Sequence, residues 1–167
     1  MRKSCIFLIT ALACATLAGC HSKPQTTVDK IEQLKQQVSN DATSLETIEK
    51  EQAEPLRKDF RTCDSLLQYL DEKTVKERFE QLNLTQAYLQ QFGELKPVMA
   101  KKMDYVVLQL DRLKADAESK YLSDSLVLVY LADETKVADT LHQQVLYFQD
   151  RLGGCQKSLN QMKKDKK

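Results

Sequence analysis

Of the residue types in this sequence, cysteine can take part in the widest range of reactions, and the sequence contains five cysteines. One of them ends the segment Leu17-Ala18-Gly19-Cys20, where an apolar run gives way abruptly to polar residues. Two more, Cys63 and Cys155, lie far along the chain. A cysteine thiol can be acylated, oxidised to a disulfide or bound to a metal as its thiolate. The segments around each cysteine decide which of these chemistries applies.

The first nineteen residues have the layout of a secretory signal. Arg2 and Lys3 form a basic start, residues 5–16 are mostly apolar, and small residues lead to a cysteine. The apolar run is too short to cross a bilayer, because a spanning helix needs about 20 apolar residues. The segment Leu17-Ala18-Gly19-Cys20 resembles the lipobox of bacterial lipoproteins. The alternative is an ordinary signal peptide that is followed by an unrelated cysteine.

The lipobox resemblance implies a place in the cell. Residues 1–19 would be removed, Cys20 would be acylated, and residues 20–27 would be a polar tether. Each buried methylene contributes about 0.8 kcal/mol, so several acyl chains hold a protein on a membrane stably. The residue after the cysteine is His21 rather than Asp, which favours the outer membrane. We therefore expect a lipid-anchored protein of the bacterial cell envelope that faces the periplasm.

The composition of the remaining chain indicates helices and a balanced charge. Without residues 1–19 the chain has 148 residues, of which 23 are basic and 24 acidic. This balance argues against a nucleic-acid partner, which requires a basic face. The whole sequence has only four Gly and three Pro and contains no Trp. With few turn formers and many good helix formers, it is typical of a single helical domain.

Apolar residues recur at three- and four-residue spacing, which is the heptad pattern of packed helices. The sequence predicts an all-α fold, an elongated antiparallel bundle of four to five helices with coiled-coil-like packing over residues 28–162. A basic tail, residues 163–167, follows. Turn-forming residues predict where the helices break. These positions are Asn83-Leu84-Thr85, Gly93 and Pro97. Pro55 marks either a break or the start of a new helix, and Gly153-Gly154 marks either a kink or a helix end.

Cys63 and Cys155 both fall in the apolar stripes of their predicted helices. Export would place them in an oxidising compartment, where cysteines tend to pair. A disulfide between them would close a long loop and stabilise the fold by about 2–4 kcal/mol. The alternative is two separate buried thiols, which pack as small apolar groups.

The remaining candidates for chemistry do not form a catalytic set. His142 is the one histidine in the predicted helices, which is too few for the usual metal or Ser-His-Asp site. Carboxylate pairs such as Asp71-Glu72 and Asp133-Glu134 alternate with basic residues, which is typical of solvated helix faces. We expect no metal site, no cofactor and no enzymatic activity.

Three segments have the pattern Asp, then Ser or Thr, then an apolar residue. They resemble the O-glycosylation sites of exported Bacteroidetes proteins. The resemblance implies that Ser65, Ser125 and Thr140 are acceptors. For Asp124-Ser125 the alternative is a helix cap, because both residue types are common in that role.

These features predict a structural or adaptor protein rather than an enzyme. Its partners would be the lipid bilayer, through acylated Cys20, and either an envelope protein or a second copy of itself. Apolar residues outside the main stripes either form this contact surface or complete a multi-helix core. They are Leu89, Tyr105, Val107 and Tyr147. The alternative is a ligand-binding lipoprotein with a pocket between helices for an apolar or envelope-derived molecule. A cleft lined by two facing carboxylates would instead indicate a hydrolase.

Overall fold

The computed structural model describes residues 26–66 and 72–164, and all the elements in these ranges are helical. The four α-helices are α1 (Thr27–Ile48), α2 (Glu54–Leu66), α3 (Glu72–Glu118) and α4 (Asp124–Lys164). A π-helical turn, Glu49–Ala53, joins α1 to α2 without interruption. In cross-section the described chain therefore has three helices: the first helix (α1, the π turn and α2), α3 and α4. The expected four to five helices lying side by side are not found.

The three helices run up, down and up. Glu32 pairs with Lys114 at 2.8 Å, and Glu46 pairs with Lys96 at 3.0 Å, so α1 and α3 are antiparallel. The short turn at residues 119–123 makes α3 and α4 antiparallel as well. The first helix and α4 are therefore parallel. This is the arrangement expected when consecutive helices are joined by short connections.

The start of α1 is fixed by a capping box. The Thr26 hydroxyl accepts a hydrogen bond from the Asp29 backbone N–H at 3.1 Å, and the Asp29 carboxylate accepts one from the Thr26 N–H at 2.9 Å. Hydrogen bonds that the Asp29 carboxylate accepts from the side chain and the backbone N–H of Thr26 lower the pKa of Asp29. Reciprocal bonds of this kind satisfy two N–H groups that have no partner inside the helix. The helix begins within one residue of the predicted boundary at residue 28.

The turn between α3 and α4 is a Schellman motif with a lysine where glycine is usual. Lys120 has a φ of 58°, in the left-handed region. The Tyr121 N–H donates to the Asp116 carbonyl at 3.0 Å, and the Lys120 N–H donates to the Ala117 carbonyl at 3.4 Å. The Ser123 hydroxyl then accepts a hydrogen bond from a backbone N–H in the first turn of α4. Both helix ends at this turn are thus capped.

Heptad positions on all three helices form one continuous apolar core. The π turn keeps the first helix in register with it. Ile48 and Leu56 are eight residues apart, whereas two equivalent heptad positions are separated by seven. A π turn takes up one extra residue, so both side chains remain fully buried. Pro55 lies just after this turn and does not break the helix.

Several predicted breaks are wrong. Asn83-Leu84-Thr85, Gly93 and Pro97 all lie inside α3, and Gly153-Gly154 lies inside α4. Core positions continue in heptad spacing from Leu82 to Leu113, and burial of this stripe outweighs the local cost of the turn formers. Pro97 is on the exposed side of α3, where the carbonyl that loses its helical partner can meet water.

Candidate functional site

An open groove between α3 and α4 has a volume of about 910 Å³. We call it the α3–α4 groove. Its apolar side chains remain accessible, since Val98 is 47% exposed, Tyr105 is 60% exposed and Val137 is 43% exposed. Buried Val106 and charged residues complete its lining. The lining is Pro97, Val98, Lys101, Lys102, Tyr105, Val106, Glu134 and Val137.

The groove arises from a second apolar stripe on each helix. On α3, Val98 and Tyr105 each come one residue before a core residue and are seven residues apart. On α4, Tyr130 and Val137 are related in the same way. Residues seven apart lie on one face of a helix, and a shift of one residue turns the side chain by about 100°. Each stripe therefore lies beside the core seam and faces solvent.

Glu134 lies at the floor of this groove, at a heptad position that is otherwise apolar. It follows Leu131 by three residues and precedes Ala138 by four, and both of these are buried. Partial burial raises the pKa of Glu134, and the charge of neighbouring Asp133 raises it further. Within the described residues, no hydrogen bond or ion pair reaches this carboxylate. A cation supplied by a bound partner would relieve this unfavourable environment.

The two lysines on the α3 side of the groove are exposed, and neither makes an ion pair with any described residue. The opposite flank of α3 differs, because its charged residues are paired with α1. Lys114 hydrogen-bonds to Glu32, which lowers the pKa of Glu32 and raises that of Lys114. Lys101 and Lys102 thus remain available to an acidic group outside the chain.

Farther along the same two helices, aromatic rings fill the interface. Phe92 and Phe148 are buried and meet edge to face, with ring centroids 5.2 Å apart. Tyr88 and Tyr147 pack beside them at 6.2 Å, and the Arg151 guanidinium lies 5.4 Å from the centroid of Tyr147. These rings fill the centre of the seam, and the recess beside them, lined in part by Tyr88 and Arg151, has a volume of about 200 Å³.

Two of the four predicted surface residues are exposed. Tyr105 is 60% exposed and lies in the α3–α4 groove, and Tyr147 is 38% exposed beside the aromatic cluster. Leu89 and Val107 instead pack partly buried against the core, which is the alternative that the sequence left open. The prediction missed Val98, Tyr130 and Val137. The signal that identifies them is the seven-residue spacing one position before the core residues.

A polar pair interrupts the core where α1 meets α4. Asp41 is 5% exposed, and its Oδ1 lies 2.8 Å from His142 Nδ1. The other carboxylate oxygen of Asp41 is buried without a hydrogen-bond partner. His142 lies on the boundary between core and solvent, with 37% of its side chain exposed. The pair joins two helices, but it has no third group that would make it a catalytic set.

The structure does not contain the predicted Cys63–Cys155 disulfide. Both residues are buried free thiols, which is the alternative that the sequence left open. Burial raises the pKa of Cys63, against the opposing charge of Lys163. Asp59 contacts both Gln156 and Lys163 on the parallel helix α4, so Cys63, four residues after Asp59, lies closer to the level of Lys163, about eight residues, or ~12 Å, farther along α4 than Cys155. Bonded cysteines need Cα atoms within about 7 Å, so helix register explains the separation.

The predicted modification sites lie on different parts of the chain. Cys20 is outside the described residues, and Ser65 lies on α2 with its side chain outside the described part. Ser125 is exposed in the first turn of α4, and its hydroxyl is 3.2 Å from that of Ser123. Thr140 is exposed, and its hydroxyl donates to the Lys136 carbonyl at 2.8 Å. The cap of α4 is thus Ser123, one residue before Asp124-Ser125.

The side chains within residues 26–63 and 72–164 include no group of three or more His, Cys, Asp or Glu residues suited to hold a metal ion. Among the described helices, no stretch combines the length and the hydropathy needed to cross a bilayer. In comparisons with known proteins, no family model, no curated protein and no solved structure matches this chain.

Proposed function

We propose that this protein is a non-enzymatic adaptor lipoprotein of the bacterial cell envelope. Acyl chains on Cys20 hold it on a membrane, facing the periplasm. The α3–α4 groove then docks a helix from an envelope protein. The anchoring part of this proposal is supported by the lipobox-like segment of the sequence. The docking part is supported by the groove itself, and this is the observation on which the adaptor function rests.

A filled core beside an exposed apolar groove favours docking over catalysis. Buried apolar residues follow the core stripes of the three helices, and the Phe92–Phe148 contact fills one half of the α3–α4 interface. In the groove half, the stripes of Val98, Tyr105, Tyr130 and Val137 run parallel to the core without being covered. Parallel stripes on two helices are the surface into which an amphipathic helix packs. A fourth helix from a partner would complete the bundle.

The charges of the groove define the chemistry of that partner helix. Lys101 and Lys102 have no partner in the described chain and favour acidic residues along one edge of the incoming helix. Glu134 at the floor favours one basic residue within its apolar stripe. We therefore propose an amphipathic helix with an acidic edge and a single Lys or Arg that reaches Glu134.

Photo-cross-linking in living cells tests the proposal. A photoreactive phenylalanine derivative replaces Tyr105 in the groove, and the matched control replaces Phe79, which is also exposed on α3 but distant from the groove. We expect one or two discrete covalent complexes from position 105 and none of the same mass from position 79. Mass spectrometry then identifies the partner. The same experiment with Cys20→Ala shows whether docking depends on the lipid anchor.

The size of the groove favours one second candidate. A volume of about 910 Å³ is sufficient for an apolar or envelope-derived molecule, and the two lysines would suit an anionic head group. In that case position 105 would form no protein complex, and the purified protein would release a small molecule on organic extraction. A complex of twice the mass of the protein would instead indicate pairing of two copies of the chain.

A further inference from the structure

One end of the bundle exposes a cluster of large apolar side chains that the groove does not use. Tyr121, in the turn after α3, is 80% exposed. In the first two turns of α4, Leu126 and Leu128 are each 46% exposed and Val129 is 55% exposed. We call these four residues the apolar tip. Leu126 and Val129, three residues apart, share one face of α4, and exposed apolar side chains grouped in this way at a chain reversal are typical of a contact surface.

The apolar tip lies at the end of the bundle where the chain enters from Cys20. Glu32, six residues after Thr26, pairs with Lys114, seven residues before Tyr121. Because α1 and α3 are antiparallel, Thr26 and Tyr121 are at the same end. The six peptide units between Cys20 and Thr26 span at most about 20 Å when fully extended. A lipid on Cys20 therefore restricts this end of the bundle to the neighbourhood of the bilayer.

The charges at this end favour apolar insertion over electrostatic attraction. Lys120 is exposed and pairs with Asp124 across the turn at 3.5 Å. Asp116 and Glu118 add negative charge close by. Among the described residues of this end, basic side chains such as Lys30 and Lys120 alternate with acidic ones, so the affinity for a bilayer would come from the apolar side chains. A tyrosine suits the head-group level of a bilayer, since its ring is apolar and its hydroxyl is polar.

We propose that the apolar tip is a second membrane contact, in which Tyr121, Leu126 and Val129 insert into the surface of the bilayer that carries the acyl chains. The inference rests on the anchoring of Cys20 in the proposed function. With two contacts at one end, the bundle stands on the membrane instead of swinging on its tether. The α3–α4 groove is then presented at a defined height above the lipid.

A single tryptophan reports the insertion directly, because the natural sequence contains none. The full-length lipoprotein with Tyr121→Trp is reconstituted into zwitterionic phosphatidylcholine vesicles with and without brominated acyl chains, which quench tryptophan on contact. The matched control is Phe79→Trp, an exposed α3 position about 60 Å from the end of that helix. We expect a blue shift and strong quenching at position 121, unchanged by high salt, and neither effect at position 79.

Two further measurements distinguish membrane insertion of the apolar tip from anchoring through Cys20. Adding Leu126→Ser and Val129→Ser to the Tyr121→Trp protein is expected to abolish most of the quenching while the protein still floats with the vesicles. If the Tyr121→Trp protein floats with the vesicles but its tryptophan is not quenched, the tip contact is overturned, whereas the anchoring through Cys20 is still supported. If Cys20→Ala floats no less than the lipidated form, the anchor proposal fails, and this inference fails with it.

Discussion

The interface between α3 and α4 has two halves that share one heptad register but differ in where their large apolar side chains lie. In one half, Phe92 and Phe148 fill the seam and meet at 5.2 Å. In the other half, the seam contains smaller or polar residues such as Ala138 and Glu134, and large apolar side chains lie outside it. The first half is closed, and the second forms the α3–α4 groove.

The residues next to the seam account for this difference. On α4, the stripe of Tyr130 and Val137 continues as Gln144 and Arg151 in the aromatic half. On α3, the stripe of Val98 continues backwards as Gln91. The outer stripe is thus polar immediately beyond the groove, and on α3 it is apolar again at Leu84, two heptads before Val98. Core positions determine how the helices pack, whereas the neighbouring positions determine which part of the surface is apolar and able to bind a partner.

The largest expected effect is in the aromatic half. Phe148→Ala removes a ring that is 1% exposed and should lower the free energy of unfolding by about 3–5 kcal/mol. Tyr105→Ala in the groove half should change it by less than about 0.5 kcal/mol, because that ring is mostly in solvent. Urea denaturation of the non-lipidated protein measures both. Similar losses for the two variants would refute the distinction between a closed half and an open half.

The Asp41–His142 pair, near the middle of α4, should show the next largest effect. His142→Ala leaves a buried carboxylate without its hydrogen bond and should cost about 1–3 kcal/mol. Asp41→Leu removes the charge and continues the apolar stripe, so it should be neutral or stabilising. The same denaturation experiment measures each variant. If His142→Ala left the free energy of unfolding unchanged, Asp41 would have found another hydrogen-bond partner.

A pH experiment tests whether the ionised carboxylate of Glu134 destabilises the folded protein. The pKa of Glu134 is raised above its ordinary value of 4.5, so its ionised form is disfavoured in the folded protein. This cost is absent below about pH 4.5 and is fully present once the pH exceeds the folded-state pKa. Glu134→Gln should therefore stabilise the free protein at neutral pH, with an advantage that disappears on acidification. A constant difference across this range would contradict the assigned cause.

The turn after α3 should give the smallest effect. Lys120 has a positive φ, which costs a non-glycine residue about 1–2 kcal/mol. Glycine removes that strain but adds flexibility to the unfolded chain, so Lys120→Gly should stabilise the protein by about 0.5–1 kcal/mol. Thermal unfolding measures the gain, with Lys101→Gly in the interior of α3 as a destabilising control. A loss of stability in Lys120→Gly would argue against the Schellman geometry.

The sequence predicted the helical class and most of the buried stripe, because burial follows a strict period of three and four residues. It did not predict the number of helices. Gly93 and Pro97 are strong local breakers, yet both lie on the exposed face of α3, where a long packed stripe outweighs them. The eight-residue step from Ile48 to Leu56 was available in the sequence, and the π turn is its structural consequence.

The candidate site was less predictable than the fold. Tyr105 was identified as an apolar residue outside the seam, but its partners on α4 were not. Which outer stripe faces which depends on the axial register of α3 and α4, and core contacts such as Phe92–Phe148 fix this register only in the folded state. The polar partner of Asp41 was hidden for the same reason, since His142 is 101 residues away in sequence.

The most direct test of the account combines cross-linking with a disabled groove. The photoreactive group is placed at Val98 in the lipidated protein in cells, with and without Tyr105→Ser and Val137→Ser. Because both substituted residues are exposed, the variant should unfold at the same temperature as the unchanged protein. If the partner docks in the α3–α4 groove, the variant with both substitutions should form almost none of the covalent partner complex. Undiminished complex formation by the folded variant would contradict docking in the α3–α4 groove.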